Sequence, residues 1–262
     1  MLGLASYKYQ LYQTNSDVFM RYATMDAWAK FPDMPERYAR YVQARIANDR
    51  ELIGWYGTSA AADTDLETNT LLQDVNIGWL QYVRTNRPEA ILAEGAATGE
   101  IRIGPEAGAD YANLDVAVND LVLGIPEYMR SGLVALIGAE LIAREKSALY
   151  AAMSGTPTEK AALNGSLTTF GGLTWETPSN FPARGLVVTS YDNLSIYMQD
   201  GSWRRNIKDA RKRTGGRLQQ PQRGYVVETP EKFAALEFGN VVFYGEKTGR
   251  PRHEPDAFLP EG

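Results

Sequence analysis

The sequence predicts an α+β fold, and three observations carry that expectation. A long amphipathic pattern spans residues 35–57, a block of shorter helical patterns surrounds one apolar run at 133–138, and a series of short strands begins at residue 173. The strands gather towards the end of the chain instead of alternating with helices, which argues against a doubly wound sheet. At 262 residues the chain is long enough for one large domain or two small ones, with roughly 70–75% of the unfolded surface buried on folding.

Taken in order, "SYKYQLYQ" puts Tyr7, Tyr9 and Leu11 on one side of a strand, and 17–22 is a second extended run. Thr24 is a candidate N-cap for a short helix containing Trp28, which "FPDMPE" interrupts. Pro35 suits the first turn of the next helix, where its missing N–H is no loss. Tyr38, Val42, Ile46, Ile53 and Tyr56 then recur at helical spacing, and Gly57 supplies the stop. Residues 58–69 read as a loop, and 71–82 as a helix ending near Pro88. A short strand at Ile101–Ile103 lies in a Gly-rich stretch, followed by a helix through "DYANLDVAVNDLV" with Asp110 as its cap. "LVALIG" reads as a fully buried strand leading into a helix at "AELIAREKSALYAAM", and 155–172 as a loop. "LTWETP", "GLVVTS", "NLSIYMQ", "SWRRNI", "GYVVET", "FAALEF" and "NVVFY" are strands separated by turn residues. Residues 245–262 have the Pro-rich, charged composition of a disordered tail.

Composition narrows the chemistry. There is no cysteine, which excludes disulfides, thiol catalysis and thiolate metal sites. The single histidine, His253, lies in the tail, a poor place to preorganise a catalytic group. We therefore expect no catalytic residue, no cofactor and no metal. No apolar run approaches the ~20 residues of a membrane span, and "MLGLASYKY" lacks the features of a signal peptide, so no membrane partner is expected. "GNVVFYGEKT" fails as a phosphate loop, because its spacing is wrong and Glu246 would repel the anion. Asp110, Asp115 and Asp120 are five apart and rotate round a helix, as solvated acids do.

Two features point to partners. The helix read at 71–82 is polar yet carries Trp79 and Tyr82, which makes them candidate subunit-interface residues; packing within the domain accounts for Trp79 equally well. The net charge of -5 argues against whole-chain nucleic-acid affinity, but residues 203–224 concentrate cations. Within that run Arg211, Lys212, Arg213 and Arg217 are candidate contacts to DNA phosphates or an acidic partner, the alternative being a solvated hairpin or loop.

Four stretches in order, "LLQDVNIGWLQ", "IRIGPEAGADYANLD", "NLSIYMQDGSWRR" and "GYVVE", resemble the major capsid proteins of the peduovirus group of tailed phages, with the likeness running from about residue 7 to residue 244. The resemblance implies the Hong Kong 97-type capsid fold. It places the returning strand of an extended loop and a spine helix in 1–70, an axial domain in 71–181 and peripheral-domain strands in 182–244. It implies a structural, non-enzymatic subunit of the virion capsid, made in the bacterial host cytoplasm. Such a subunit assembles with itself into pentamers, hexamers and a shell, works with a scaffold and a maturation protease, and encloses double-stranded DNA through nonspecific charge. A protein nanocompartment of the same fold is the alternative role, and a stand-alone enzyme is a third. Against the family pattern, the chain is expected to lack the N-terminal scaffold segment, arm and outgoing half of the extended loop, since residues 1–5 match nothing.

Overall fold

A computed structural model describes residues 9–17, 27–28, 30–152, 168–200, 204–206, 217–219 and 222–243. Its longest element is the predicted helix, α1 (Met34–Tyr56), which at 23 residues extends ~35 Å. Pro35 lies in its first turn, as expected. Ion pairs one turn apart line its solvent side, Arg37 with Asp33 at 2.6 Å and Arg45 with Asp49 at 3.4 Å. Among the described side chains, the C-terminal half enters the core, through Ile46, Ile53 and Trp55. Tyr41, in the other half, is 68% exposed.

Two glycines fix how α1 ends. The Gly57 N–H donates to the Ile53 carbonyl at 2.8 Å, and a Cβ there would fall 2.2 Å from the Asn76 carbonyl oxygen. One turn earlier, a Cβ on Gly54 would lie 2.4 Å from Trp79 Cζ3. The bare helix face at Gly54 is therefore the floor on which the indole rests. Gly54→Ala is expected to destabilise the chain by about 1–3 kcal/mol, the usual range for overpacking, measured by urea denaturation.

The next helix starts later than the sequence suggests. Residues 71–78 form turns, and α2 is Trp79–Asn86. The cause is local competition for the backbone. Leu71 N–H donates to the Gln73 side chain and Ile77 N–H to the Asn76 side chain, while Asn76 Nδ2 reaches across to the Arg223 carbonyl at 3.1 Å. The end near Pro88 is as expected: Arg87, the residue before it, leaves the helical region at φ -151°.

Beyond α2 lie the strands β2 (Ile91–Leu92) and β3 (Ile101–Ile103), the helix α3 (Leu114–Leu123), β4 (Val134–Ile137) and α4 (Ala139–Ala152). The cap of α3 is Asn113, whose side chain accepts from Val116 N–H at 2.9 Å. Asp110, the expected cap, instead accepts from Ala96 N–H and Arg102 N–H and ties the preceding Gly-rich turn together. Where a loop was expected over 155–172, residues 153–167 lie outside the described residues, and β5 (Thr169–Phe170) falls within the remainder.

The strand-rich part contains β6 (Leu173–Glu176), β7 (Leu186–Thr189), β8 (Leu194–Met198), β9 (Arg204–Asn206), β10 (Arg217–Gln219), β11 (Arg223–Val227), β12 (Ala234–Leu236) and β13 (Val241–Phe243). All seven expected strands are present. β10, inside the basic run, is additional, and so is β1 (Asn15–Asp17), which pairs with it. The strand expected in "SYKYQLYQ" is reduced, among its described residues, to one bridge between Tyr12 and Arg223. Thr24, most of the 17–22 run and the tail after residue 243 lie outside the described residues.

The centre of the fold is a six-stranded mixed sheet in the order β2-β12-β7-β4-β6-β5. The sequence division at 181/182 cuts through it, since β7 and β12 lie between β2 and β4. Alternation along the strands gives the sheet two buried faces. Ala135, Ile137, Leu186, Val188 and Leu236 pack against α3 and the start of α4. Leu136, Val187 and Ala235 face the C-terminal end of α1, together with α2 and β11. β7 is consequently buried along its whole length. Three smaller pairings complete the architecture: β8 with β11, β13 with β3, and the β1-β10-β9 sheet.

One carboxylate between the helices should make stability depend on pH. Burial raises the Glu145 pKa above 4.5, the repulsion from Asp115 adds to this, and the bond from Leu114 N–H opposes it. The native state thus holds this proton to higher pH than the unfolded chain. Stability from this group is present at acidic pH, is lost as pH rises from 4.5 through the raised value, and is level above. Glu145→Gln is expected to flatten that part of the profile, read from denaturation midpoints between acidic and neutral pH.

Candidate functional site

The two aromatics singled out from sequence lie inside the chain. Trp79 is 7% exposed and meets Trp55 edge-on with ring centroids 5.0 Å apart and Tyr225 at 5.3 Å. Its Nε1–H donates to the Ser195 carbonyl at 3.0 Å. Trp55 in turn meets Phe181 at 4.7 Å, and Phe181 meets Phe238 at 5.6 Å. This chain of rings joins α1, α2, β11 and the loops beside the central sheet. Edge-to-face contacts of this kind fix relative orientation as well as burying area. The geometry therefore gives Trp79 the in-domain packing role.

Tyr82 is 6% exposed, and among the described residues its hydroxyl has no hydrogen-bond partner. Burial raises its pKa, and the Glu228 carboxylate raises it further. Tyr225 donates its hydroxyl to the Arg50 carbonyl at 2.9 Å, which anchors β11 to α1. Beside it lies Arg223, only 2% exposed; burial first, and then the like charge of Arg50, pull its pKa down to about 10.

Of the basic candidates, Arg211, Lys212 and Arg213 lie outside the described residues. Arg217 is on β10, opposite Asn206 of β9 and Asp17 of β1. Among the described residues no cluster of His, Cys, Asp and Glu could hold a metal ion, and no helix is long and apolar enough to cross a membrane.

The outward-facing aromatics are ones the sequence reading did not select. Phe31 and Tyr41 mark the beginning and the N-terminal half of α1, with Trp28 just before it. Tyr128, 81% exposed, and Leu123 mark the turn after α3, where Arg130 holds the Leu123 and Ile125 carbonyls. Ile196, Tyr197 and Met198 expose the end of β8, where Tyr9 stacks on Tyr197 at 4.9 Å. Scattered apolar residues are ordinary on any surface. Three groups on three separate elements, one of them a half-buried helix, suit a subunit that meets neighbours on several sides.

Comparison with known proteins gives this geometry a context. The model of a family described as "Phage major capsid protein, P2 family" matches residues 1–238. Over 216 residues the chain is 34% identical to a protein of Escherichia phage P2 named "Capsid proteins", a match covering 79% of this chain and 60% of that protein. The chain thus spans less than two thirds of that relative's length. Among solved structures it superposes with a TM-score of 0.82 and 28% identity on a chain of the satellite phage P4 procapsid that includes the size determination (Sid) protein, covering 93% of this chain and 74% of that one. A chain of the holo-SrpI encapsulin complex from Synechococcus elongatus shares the fold at a TM-score of 0.50 and 12% identity, over 87% of this chain and 74% of that one.

Proposed function

The chain belongs to the P2 family of phage major capsid proteins, and from that premise we propose that it is a shell subunit that assembles with copies of itself into rings and a closed head around double-stranded DNA. Its fold is the Hong Kong 97-type capsid fold. In this reading α1 is the spine helix. The six-stranded sheet with α3 and α4 forms the axial domain, β7 and β12 included. The mechanism is geometric: modest contacts on several edges add up when a symmetric ring closes. The observation that carries the reading is the unfinished surface of α1, a 23-residue helix whose buried side chains, among those described, lie in its C-terminal half, with an open aromatic flank at its start.

The finer assignments belong to the same proposal. Scaffold and maturation protease act during assembly, and the basic run containing Arg211, Lys212, Arg213 and Arg217 meets DNA phosphates or an acidic partner. The role is structural, with virion capsid as the location and the bacterial host cytoplasm as the place of synthesis. Light scattering behind a sizing column, with negative-stain images of each peak, tests the assembly. Rings of the family's pentamer or hexamer type, or shells, are expected. A monomer at every concentration, with the scaffold protein absent and present, would overturn it.

A further inference from the structure

We propose that Arg50 and Arg223 together bind a small free oxyanion, of the phosphate type, where the C-terminal half of α1 lies against β11. Arg223 is fixed at the start of β11: its N–H and carbonyl exchange hydrogen bonds of 2.8 Å with Tyr12, and the carbonyl also accepts from Asn76. Alternation along the strand puts its side chain on the same face as Tyr225, whose hydroxyl reaches the Arg50 carbonyl on α1. The opposite face is closed at Gly224, where a Cβ would lie 3.0 Å from the Gln10 carbonyl oxygen. Arg223 therefore extends on the α1 side of the strand, and there it feels the charge of Arg50.

Two cations thus share a buried junction, and their donors are unused. Arg223 is 2% exposed, and among the described residues its Nε and Nη2 have no hydrogen-bond partner; nor has the Arg50 Nε, which is likewise closed to solvent. The ionisable groups acting on Arg223 are Arg50 and Tyr225, neither of them a carboxylate. Asp49, beside Arg50 in sequence, is paired with Arg45 at 3.4 Å. Thr14, two residues on from Tyr12 and separated from it by the exposed Gln13, adds a buried hydroxyl that has no partner among the described residues. Buried polar groups are almost always paired, and a buried cation without a countercharge is strongly destabilising. An anion between the two guanidinium groups removes both defects, and the oxygens of phosphate match the planar N–H fork of arginine. Arg223 offers almost no surface to a folded neighbour, whereas Arg50 is only half-buried. The way in beside Arg50 suits a free ion.

The test is urea denaturation of the unassembled chain in sodium phosphate and in sodium chloride of equal ionic strength, at neutral pH; its outcome is independent of whether the chain forms a shell. With about 10 mM phosphate the ratio of folded to unfolded chain should be about tenfold higher than in chloride, as for an ion held with a Kd of about 1 mM. Arg50→Met and Arg223→Met should each abolish that gain. Arg40→Met, at a side chain 79% exposed on the same helix, should keep it. If Arg223→Met does not fold, Arg50→Met decides, since its backbone carbonyl still receives the Tyr225 hydroxyl. Equal ratios in phosphate and chloride for the unsubstituted chain would overturn the proposal. So would a gain that persists in Arg50→Met, which would identify a general salt effect.

Discussion

Trp79→Ala is expected to destabilise the isolated chain by about 3–5 kcal/mol, the range for removing a large buried aromatic. The indole is held on three sides, by the bare face at Gly54, by the Trp55 and Tyr225 rings, and by its bond to the Ser195 carbonyl. Truncation opens a cavity where α1, α2 and β11 meet, and the Ser195 carbonyl loses its donor. The loss should appear in urea denaturation of unassembled chain, before any partner is present. Trp79→Phe should recover part of it, since the ring contacts survive and the hydrogen bond does not. A change below about 1 kcal/mol in Trp79→Ala would mean that the ring junction contributes little, because values of that size are ordinary for surface positions.

Tyr41→Asp should behave in the opposite way. Tyr41 is 68% exposed on α1, so the substitution should leave stability within about 0.5 kcal/mol, as for surface changes generally. On the shell reading it places a charge where a neighbour's surface must close, and assembly yield should fall by tenfold or more, equivalent to ~1.4 kcal/mol across one contact. Yield is read from the particle peak of a sizing column. Normal particles from Tyr41→Asp would remove this face of α1 from the assembly surface.

The contrast between these two residues shows what was legible in the sequence. Period-3.6 spacing located α1 and alternation located the late strands, because each needs only local pattern. The start of α2 was not local. Asn76 leaves the helix to serve the Arg223 carbonyl, a partner 147 positions away, and nothing in the 71–82 pattern announces that. Once the helix begins at Trp79, its aromatics fall on the buried face with Leu80 and Val83. The same limit explains Asp110, which read as a cap until the turn at Ala96 and Arg102 claimed its carboxylate. It also explains the expected boundary at 181/182: "GLVVTS" and "FAALEF" carry the local pattern of strands, but strand order in a mixed sheet depends on pairings that no single strand encodes. The one hint available for Trp79 was Gly54 within a helical run, since a conformationally costly residue there marks a close approach by something else. Family membership came from separated sequence stretches, whereas the open aromatic flank of α1 came only from the fold.

Hydroxyl-radical footprinting of free and assembled chain tests the central claim most directly, that the fold is complete around Trp79 and incomplete along α1. The account predicts that Phe31 and Tyr41 react readily in the free chain and are protected in the particle, while Trp79 is protected in both. Equal reaction of Tyr41 in the two states, or a Trp79 that is reactive when free and protected only on assembly, would contradict it.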